Sequence, residues 1–112
     1  QACLPNGKML ASAGAALVVC GDINRAHDRE LSFLLHDVSA AIENILLAAS
    51  MLGLGACWLG IHPREERIAA VTRQFGLPDG IIPVAGIALG WPAEAKEART
   101  RFNSALVHVD RW

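Results

Sequence analysis

The sequence has no tyrosine, and its other aromatic residues are few, with three tryptophans and three phenylalanines in 112 residues. It also lacks an excess of charge of either sign, because ten Lys and Arg are balanced by eleven Asp and Glu. Binding to nucleic acid or to an anionic membrane surface requires a basic protein surface. We therefore expect neither a nucleic-acid partner nor a membrane partner.

Cysteines are also few, and their arrangement excludes two common uses. Cys3, Cys20 and Cys57 are odd in number and far apart, which is neither a disulfide framework nor a zinc-ligand pattern. Each has apolar residues nearby, as structural thiols usually do. We expect reduced, buried thiols in a cytoplasmic protein.

We expect no secretory signal at the beginning of the chain, since residues 1–5 contain no basic segment followed by an apolar one. The first residue is Gln1 rather than Met, so we expect a fragment, a processed product or the ordered part of a longer protein. Residues 45–61 carry no formal charge, which approaches the length of a membrane span. Because Gly53 and Gly55 interrupt this stretch, a buried helix followed by a turn and a strand fits better.

Apolar runs predict three strands in a single domain covering residues 1–112. Hydrophobic residues make up 53% of the sequence, enough for a packed core in one domain. The predicted strands are residues 15–20, 56–61 and 81–90, the first two buried. Proline has no backbone N–H group to donate. Pro83 therefore predicts either that the third strand lies at an edge of the sheet or that the proline is among the strand's first residues.

Two helices are predicted between these strands. The first runs from about Leu34 or Asp37 to Leu52 and is apolar nearly all round, so it must be buried in a core or in an oligomer interface. Gly53 is its expected C-terminal cap. The second helix has Pro63 at its first position and ends at Gly76. It has a narrow apolar stripe and a charged face that we expect in solvent, where the sequence places Arg64, Glu65, Glu66, Arg67 and Arg73.

Several sites with recognisable residue patterns are disfavoured. Residues 53–60 are rich in glycine, but they follow a helix and lack the G-x-G-x-x-G spacing of a dinucleotide site. Cys57 could be a nucleophile with His62 or His108 as its base, yet apolar neighbours would keep that thiol inert. The four histidines lack the spacing of metal ligands, so we predict no metal site. These histidines are His27, His36, His62 and His108.

Two features remain as candidate binding elements. Gly55 and Gly60 would let backbone amides approach a flat ligand, although a tight helix-to-strand turn explains the glycines equally well. Arg99 and Arg101 would project to one side of an extended segment, where two guanidinium groups suit a phosphate dianion. The alternative is a solvated basic pair.

The order of several segments resembles a known family. The similar segments are residues 37–49, 52–61 with Pro63, 77–78, 82–83, 89–94, 99–102 and 108–112. Together they are similar to the central helix, the following strands and the C-terminal segment of the nitroreductase family. Each segment alone is a weak signal, but they occur in the family's order.

This resemblance implies an α+β sandwich in which a central sheet is flanked by helices, here as the C-terminal portion of a nitroreductase-like domain. It implies an obligate homodimer with residues 37–52 at its core and FMN at the dimer interface. NADH or NADPH would reduce the FMN, and a ping-pong cycle would pass hydride or electrons to nitroaromatics, quinones or similar small-molecule acceptors. Such a flavin enzyme needs no catalytic acid or nucleophile from the protein.

The resemblance also implies which residues hold the cofactor. Trp58, Leu59 and Gly60 would lie along the isoalloxazine ring, with backbone amides near its N5 and O4 atoms. Arg99 and Arg101 would contact the FMN phosphate.

One departure from the family pattern keeps other readings open. The family's Arg-rich phosphate-binding helix start and its ring-contacting Asn and Gln segment lie outside these 112 residues, and Ala13-Gly14 replaces the usual Ala-Pro. The chain would then belong to a longer protein or be a flavin-free paralogue. A non-catalytic flavin-binding or dimerisation module is the alternative from another functional class. Relatives that fragment flavin or dehalogenate substrates are a third reading.

Overall fold

The computed structural model describes residue 4, residues 6–98 and residues 100–112. It contains strands β1 (Ala15–Asp22), β2 (Gly55–Gly60) and β3 (Ile81–Gly90), and helices α1 (Leu31–Met51) and α2 (Glu65–Phe75). Short 3-10 turns occupy Lys8–Ala11, His27–Arg29 and Ser104–Leu106. The predicted α+β class is confirmed.

Strand β3 is the centre of a three-stranded antiparallel sheet in the described part of the chain. The order is β1-β3-β2, so β1 and β2 are the two edges. The predicted bounds of β3 are confirmed, and Pro83 is its third residue. The register with β1 shifts next to Pro83, where Cys20 pairs with the proline. Because β2 pairs only as far as Ala85, the proline lies outside that ladder and costs it no hydrogen bond.

The two faces of the sheet carry separate apolar clusters. On one face, α1 packs Leu34, Val38 and Ile42 against Ile87. On the other, Val71 of α2 joins a cluster with Leu4, Leu59, Ile61 and Ala88. Consecutive residues of a strand point to opposite faces, which is why the neighbours Ile87 and Ala88 of β3 belong to different clusters. The two helices therefore lie on opposite faces of one sheet.

Helix α1 begins earlier than predicted and is less buried. It starts at Leu31, so Asp37 is inside the helix rather than at its N-terminus. Its end agrees with the prediction for Gly53, whose φ is +73°. Hydrogen bonds from Leu54 N to Ala49 O and from Gly53 N to Ser50 O close the helix in a Schellman motif.

One side of α1 has no cover in this chain. Leu47, Met51 and Leu52 are 53%, 88% and 72% exposed. The helix is long and apolar enough to cross a membrane by length and composition alone, yet its opposite face packs on the sheet. Burying the apolar residues on this side would need a second surface. An oligomer interface, which the sequence predicts as one possibility, would provide it.

Three further predictions are wrong. Pro63 lies outside α2, which begins at Glu65 after Arg64 as N-cap. The first three residues of β1 are exposed, and β2 alternates between half-buried or buried and exposed positions. Both strands lie at the edges of the sheet, where the neighbouring elements do not cover all of their side chains. The expected burial on both faces therefore does not occur. Cys20 and Cys57 are free and half-buried rather than buried, and Cys3 lies outside the described residues.

We expect Gly21→Ala to lower the free energy of unfolding by about 1–3 kcal/mol, the usual cost of overpacking a core. A Cβ atom at Gly21 would lie 2.5 Å from Leu34 Cγ, so the helix must move away from the sheet. Gly60→Ala is the matched control, because a Cβ there meets nothing within 4 Å. Denaturant unfolding measures both variants, and equal stability of the two would contradict this packing.

Candidate functional site

The end of β2 presents peptide groups to the free edge of the sheet. Ile61 N donates to Val84 O at 3.1 Å, so the peptide groups of Ile61 face β3. Residues of an antiparallel strand alternate between facing the neighbouring strand and facing away from it. The N–H and C=O groups of Gly60 and Trp58 therefore face away from β3. Arg67 bonds to the Gly60 carbonyl, and the two N–H groups are open to a ligand. Leu59 lies opposite Gly86 of β3, and its side chain is buried.

A small polar cavity of about 130 Å³ lies beside this strand end. Its lining residues are Leu4, Asn6, Gly7, Trp58, Leu59, Gly60 and Arg67. The structure thus brings the three predicted strand residues together at one cavity. Trp58 is 41% exposed, so an indole face is available next to the free peptide groups. A planar ligand with hydrogen-bonding atoms on one edge suits this combination.

Asn6 was not expected as a site residue from the sequence. The residues before β1 fold back across the sheet, where Gly7 N donates to Leu4 O at 2.8 Å. Leu4 itself is buried in the cluster with Leu59. This anchor places the Asn6 amide at the cavity. In the sequence, an asparagine two residues after Leu4 is a weak signal. Only the fold shows that Asn6 lies at the cavity.

Arg67 is a second residue that the sequence reading missed, since it was expected in solvent. Its Nη1 donates to the carbonyl oxygen of Gly60 at 2.8 Å, and the residue is half-buried. The spacing contained the signal: Arg67 precedes Val71 by one helical turn, and Val71 is buried. Arg67 therefore shares the side of α2 that faces the sheet.

A larger open cleft of about 640 Å³ lies at the opposite end of β2. Gly55, Ala56 and Cys57 line one part of it, and Trp91, Glu94 and Lys96 line another. Glu94 and Lys96 form an exposed ion pair at 2.8 Å. Here the segment after β3 meets the beginning of β2. A ligand lying along β2 would extend from the small cavity towards this cleft.

The structure describes one residue of the predicted phosphate-binding pair. Arg99 lies outside the described residues, and Arg101 is exposed in the C-terminal segment. Arg101 is absent from the linings of both cavities. Residues 91–98 and 100–112 are all exposed and contain little regular structure. Their assignment to a phosphate stays a prediction.

Titratable groups and metal ligands add little to this site. Burial raises the pKa of the Cys20 thiol, which lines a separate cleft between β1 and α1. No group of three or more metal-ligating side chains occurs in the described part of the chain. The site's chemistry therefore consists of peptide groups, an indole face, an amide and one guanidinium.

Comparisons with known proteins agree with this fold. The model of the Nitroreductase family matches residues 1–91. An Archaeoglobus fulgidus protein named "Putative NADH dehydrogenase/NAD(P)H nitroreductase" is 43% identical over 109 residues, which are 95% of this chain and 62% of that protein. An FMN reductase (NADPH) of Bacillus subtilis is 32% identical over 74 residues, 66% of this chain and 29% of that protein.

Among solved structures, one from Bacteroides thetaiotaomicron carries the same name as the archaeal relative. It superposes with a TM-score of 0.88 at 37% identity, covering 99% of this chain and 63% of its own. The chain thus spans less than two thirds of the length of the archaeal and the Bacteroides relatives.

Proposed function

Because the chain belongs to the nitroreductase family, we propose that it is the C-terminal portion of an FMN-dependent NAD(P)H oxidoreductase. The observation that carries the proposal is the cavity where Trp58 and Gly60 turn free backbone N–H groups to the sheet edge. FMN, when bound, supplies the electron-transfer chemistry, and the protein supplies position and electrostatics. The fit rests on donor chemistry, since peptide groups and the Asn6 amide match the carbonyl and nitrogen atoms of a flavin edge.

The protein residues have separable tasks in this mechanism. The peptide groups of Trp58 and Gly60 orient the ring by hydrogen bonding, and a glycine at position 60 leaves room for the ligand, because no atom lies within 4 Å of its missing Cβ. Leu59 holds the strand in place through its buried side chain. Arg99 and Arg101 neutralise the phosphate. The electron acceptors are nitroaromatics, quinones or similar small molecules that stack on the open ring face in a ping-pong cycle.

The proposed enzyme is a homodimer, and this chain leaves more surface uncovered than a compact protein of its size, surface for a partner and for the rest of the domain to cover. A compact protein of 11.9 kDa has about 5,900 Å² of accessible surface. This chain has 8570 Å². Its radius of gyration is 16.4 Å, where a compact chain of this length has about 13 Å. The excess includes the open face of α1 and apolar side chains after β3, such as Trp91, Phe102 and Trp112, which are 82%, 74% and 99% exposed.

The described cysteines, Cys20 and Cys57, are free, which fits the cytoplasmic location that we assign to the protein. The proposal has no role for a nucleic acid or a membrane.

The experiment that tests the function is an anaerobic visible spectrum of the full-length protein before and after NADH or NADPH is added. We expect flavin absorption that bleaches on reduction and returns when a nitroaromatic or quinone is supplied. Flavin that binds but is not reduced would favour a binding module on the same fold. A protein that stays colourless with added FMN would overturn the proposal.

The phosphate assignment predicts that Arg101→Gln weakens FMN binding roughly tenfold to hundredfold, the range for losing one charge-assisted hydrogen bond. Riboflavin, which has no phosphate, should bind the variant and the wild type equally. Fluorescence titration measures all four affinities. An equal loss for FMN and riboflavin would show that Arg101 does not recognise phosphate.

The dimer predicts that Leu47→Asp combined with Met51→Asp shifts the full-length protein towards monomer, because each charge would be buried in the interface. Ala69→Asp is the control, since Ala69 is exposed on α2. Sedimentation velocity at low micromolar concentration measures both. A wild-type protein that is monomeric there, or an unchanged dimer in the double variant, would contradict this interface.

A further inference from the structure

Arg67 is held in an unusual way for an arginine near a protein surface. One nitrogen, Nη1, donates to Gly60 O, while Nε is buried and has no hydrogen-bond partner among the described residues. A buried donor without a partner lowers the stability of the fold. Stability alone would not favour such a placement, because an arginine in solvent would avoid that cost.

The charge of Arg67 has no counterion at the cavity. The other lining residues are apolar or neutral, and no carboxylate is among them. Neither of the salt bridges found in the described part of the chain involves Arg67. The guanidinium is therefore an uncompensated positive charge beside the free peptide groups of β2. Its half-buried position strengthens the field of this charge compared with one in water.

The other arginines of this region differ in their surroundings. Arg64 and Arg73 are exposed, whereas Arg67 is half-buried and fixed to the strand end by its bond to Gly60. A fixed, partly buried cation acts on a bound ligand with little screening by salt, while an exposed one is screened. Arg73 is thus a natural control for Arg67 on the same helix.

We propose that Arg67 sets the redox potential of the bound flavin by placing its positive charge at the ring end of the site. Charge near the ring nitrogens is one of the ways in which a protein tunes a flavin. Reduction adds negative charge to the ring, so a nearby cation favours the reduced form. Arg67 is a positioning residue as well, because its bond to Gly60 O holds the residue whose N–H group faces the ligand. This inference rests on the proposed function.

The test compares full-length wild type with Arg67→Gln, Arg67→Lys and Arg73→Gln. Arg67→Gln should lower the preference for reduced over oxidised FMN about tenfold, which is a midpoint potential lower by about 30 mV for a two-electron couple. Arg67→Lys keeps the charge and should recover most of the shift. Arg73→Gln should match the wild type. Spectroelectrochemical titration gives the potentials, and thermal unfolding shows whether each variant folds.

Riboflavin separates this role from phosphate binding. The potential shift of Arg67→Gln should be the same with riboflavin as with FMN, because the charge acts on the ring. Wild type that binds no flavin would overturn the proposed function and this inference together. Wild type that binds FMN, with an Arg67→Gln potential equal to its own, would overturn the inference alone. If the glutamine and lysine variants shift the potential equally, the charge is not the cause and the inference is also wrong.

Discussion

The structure depends on the double pairing of strand β3. Its residues 83–88 are all buried, and hydrogen-bonded strands run along both of its sides. Every other element is placed relative to it: α1 covers one face through Ile87, and α2 with the N-terminal residues covers the other at Ala88. Backbone polar groups buried at this depth must be paired, and the two ladders meet that requirement. The candidate site inherits its geometry from this strand, because the register with β3 decides which peptide groups of β2 face outward.

The sequence predicted the helices and strands better than it predicted how deeply each is buried. The apolar run of β3 and the glycine that ends α1 follow from local chemistry, and both predictions were accurate. The start of α1 was misplaced because Asp37 is a common N-cap residue, while the helix continues through it to pack Leu34 against the sheet. Exposure of β1 and β2 could not be predicted, since an apolar run contains no information about whether its strand is central or at an edge.

The candidate site was predictable only in part. Trp58, Leu59 and Gly60 came from a family resemblance, and the structure brings them to one cavity. Asn6 and Arg67 reach that cavity from distant parts of the sequence, so no local pattern connects them to it. Arg67 is the clearer example, because a charged residue on a helix is expected in solvent. Only the structure shows that Arg67 is half-buried and bonded to the Gly60 carbonyl.

The position of β2 at the sheet edge has a consequence for solubility. A free edge with unpaired peptide groups is a template for strand addition from another chain, and natural proteins block such edges. Here the outward peptide groups near Gly60 are also the ones assigned to the ligand, and Arg67 already occupies one carbonyl. Ligand binding and protection against edge-to-edge aggregation would then use the same atoms. Under the proposed function, the protein without bound FMN would be the form most prone to self-association. The supply of FMN during synthesis would then govern the yield of soluble protein.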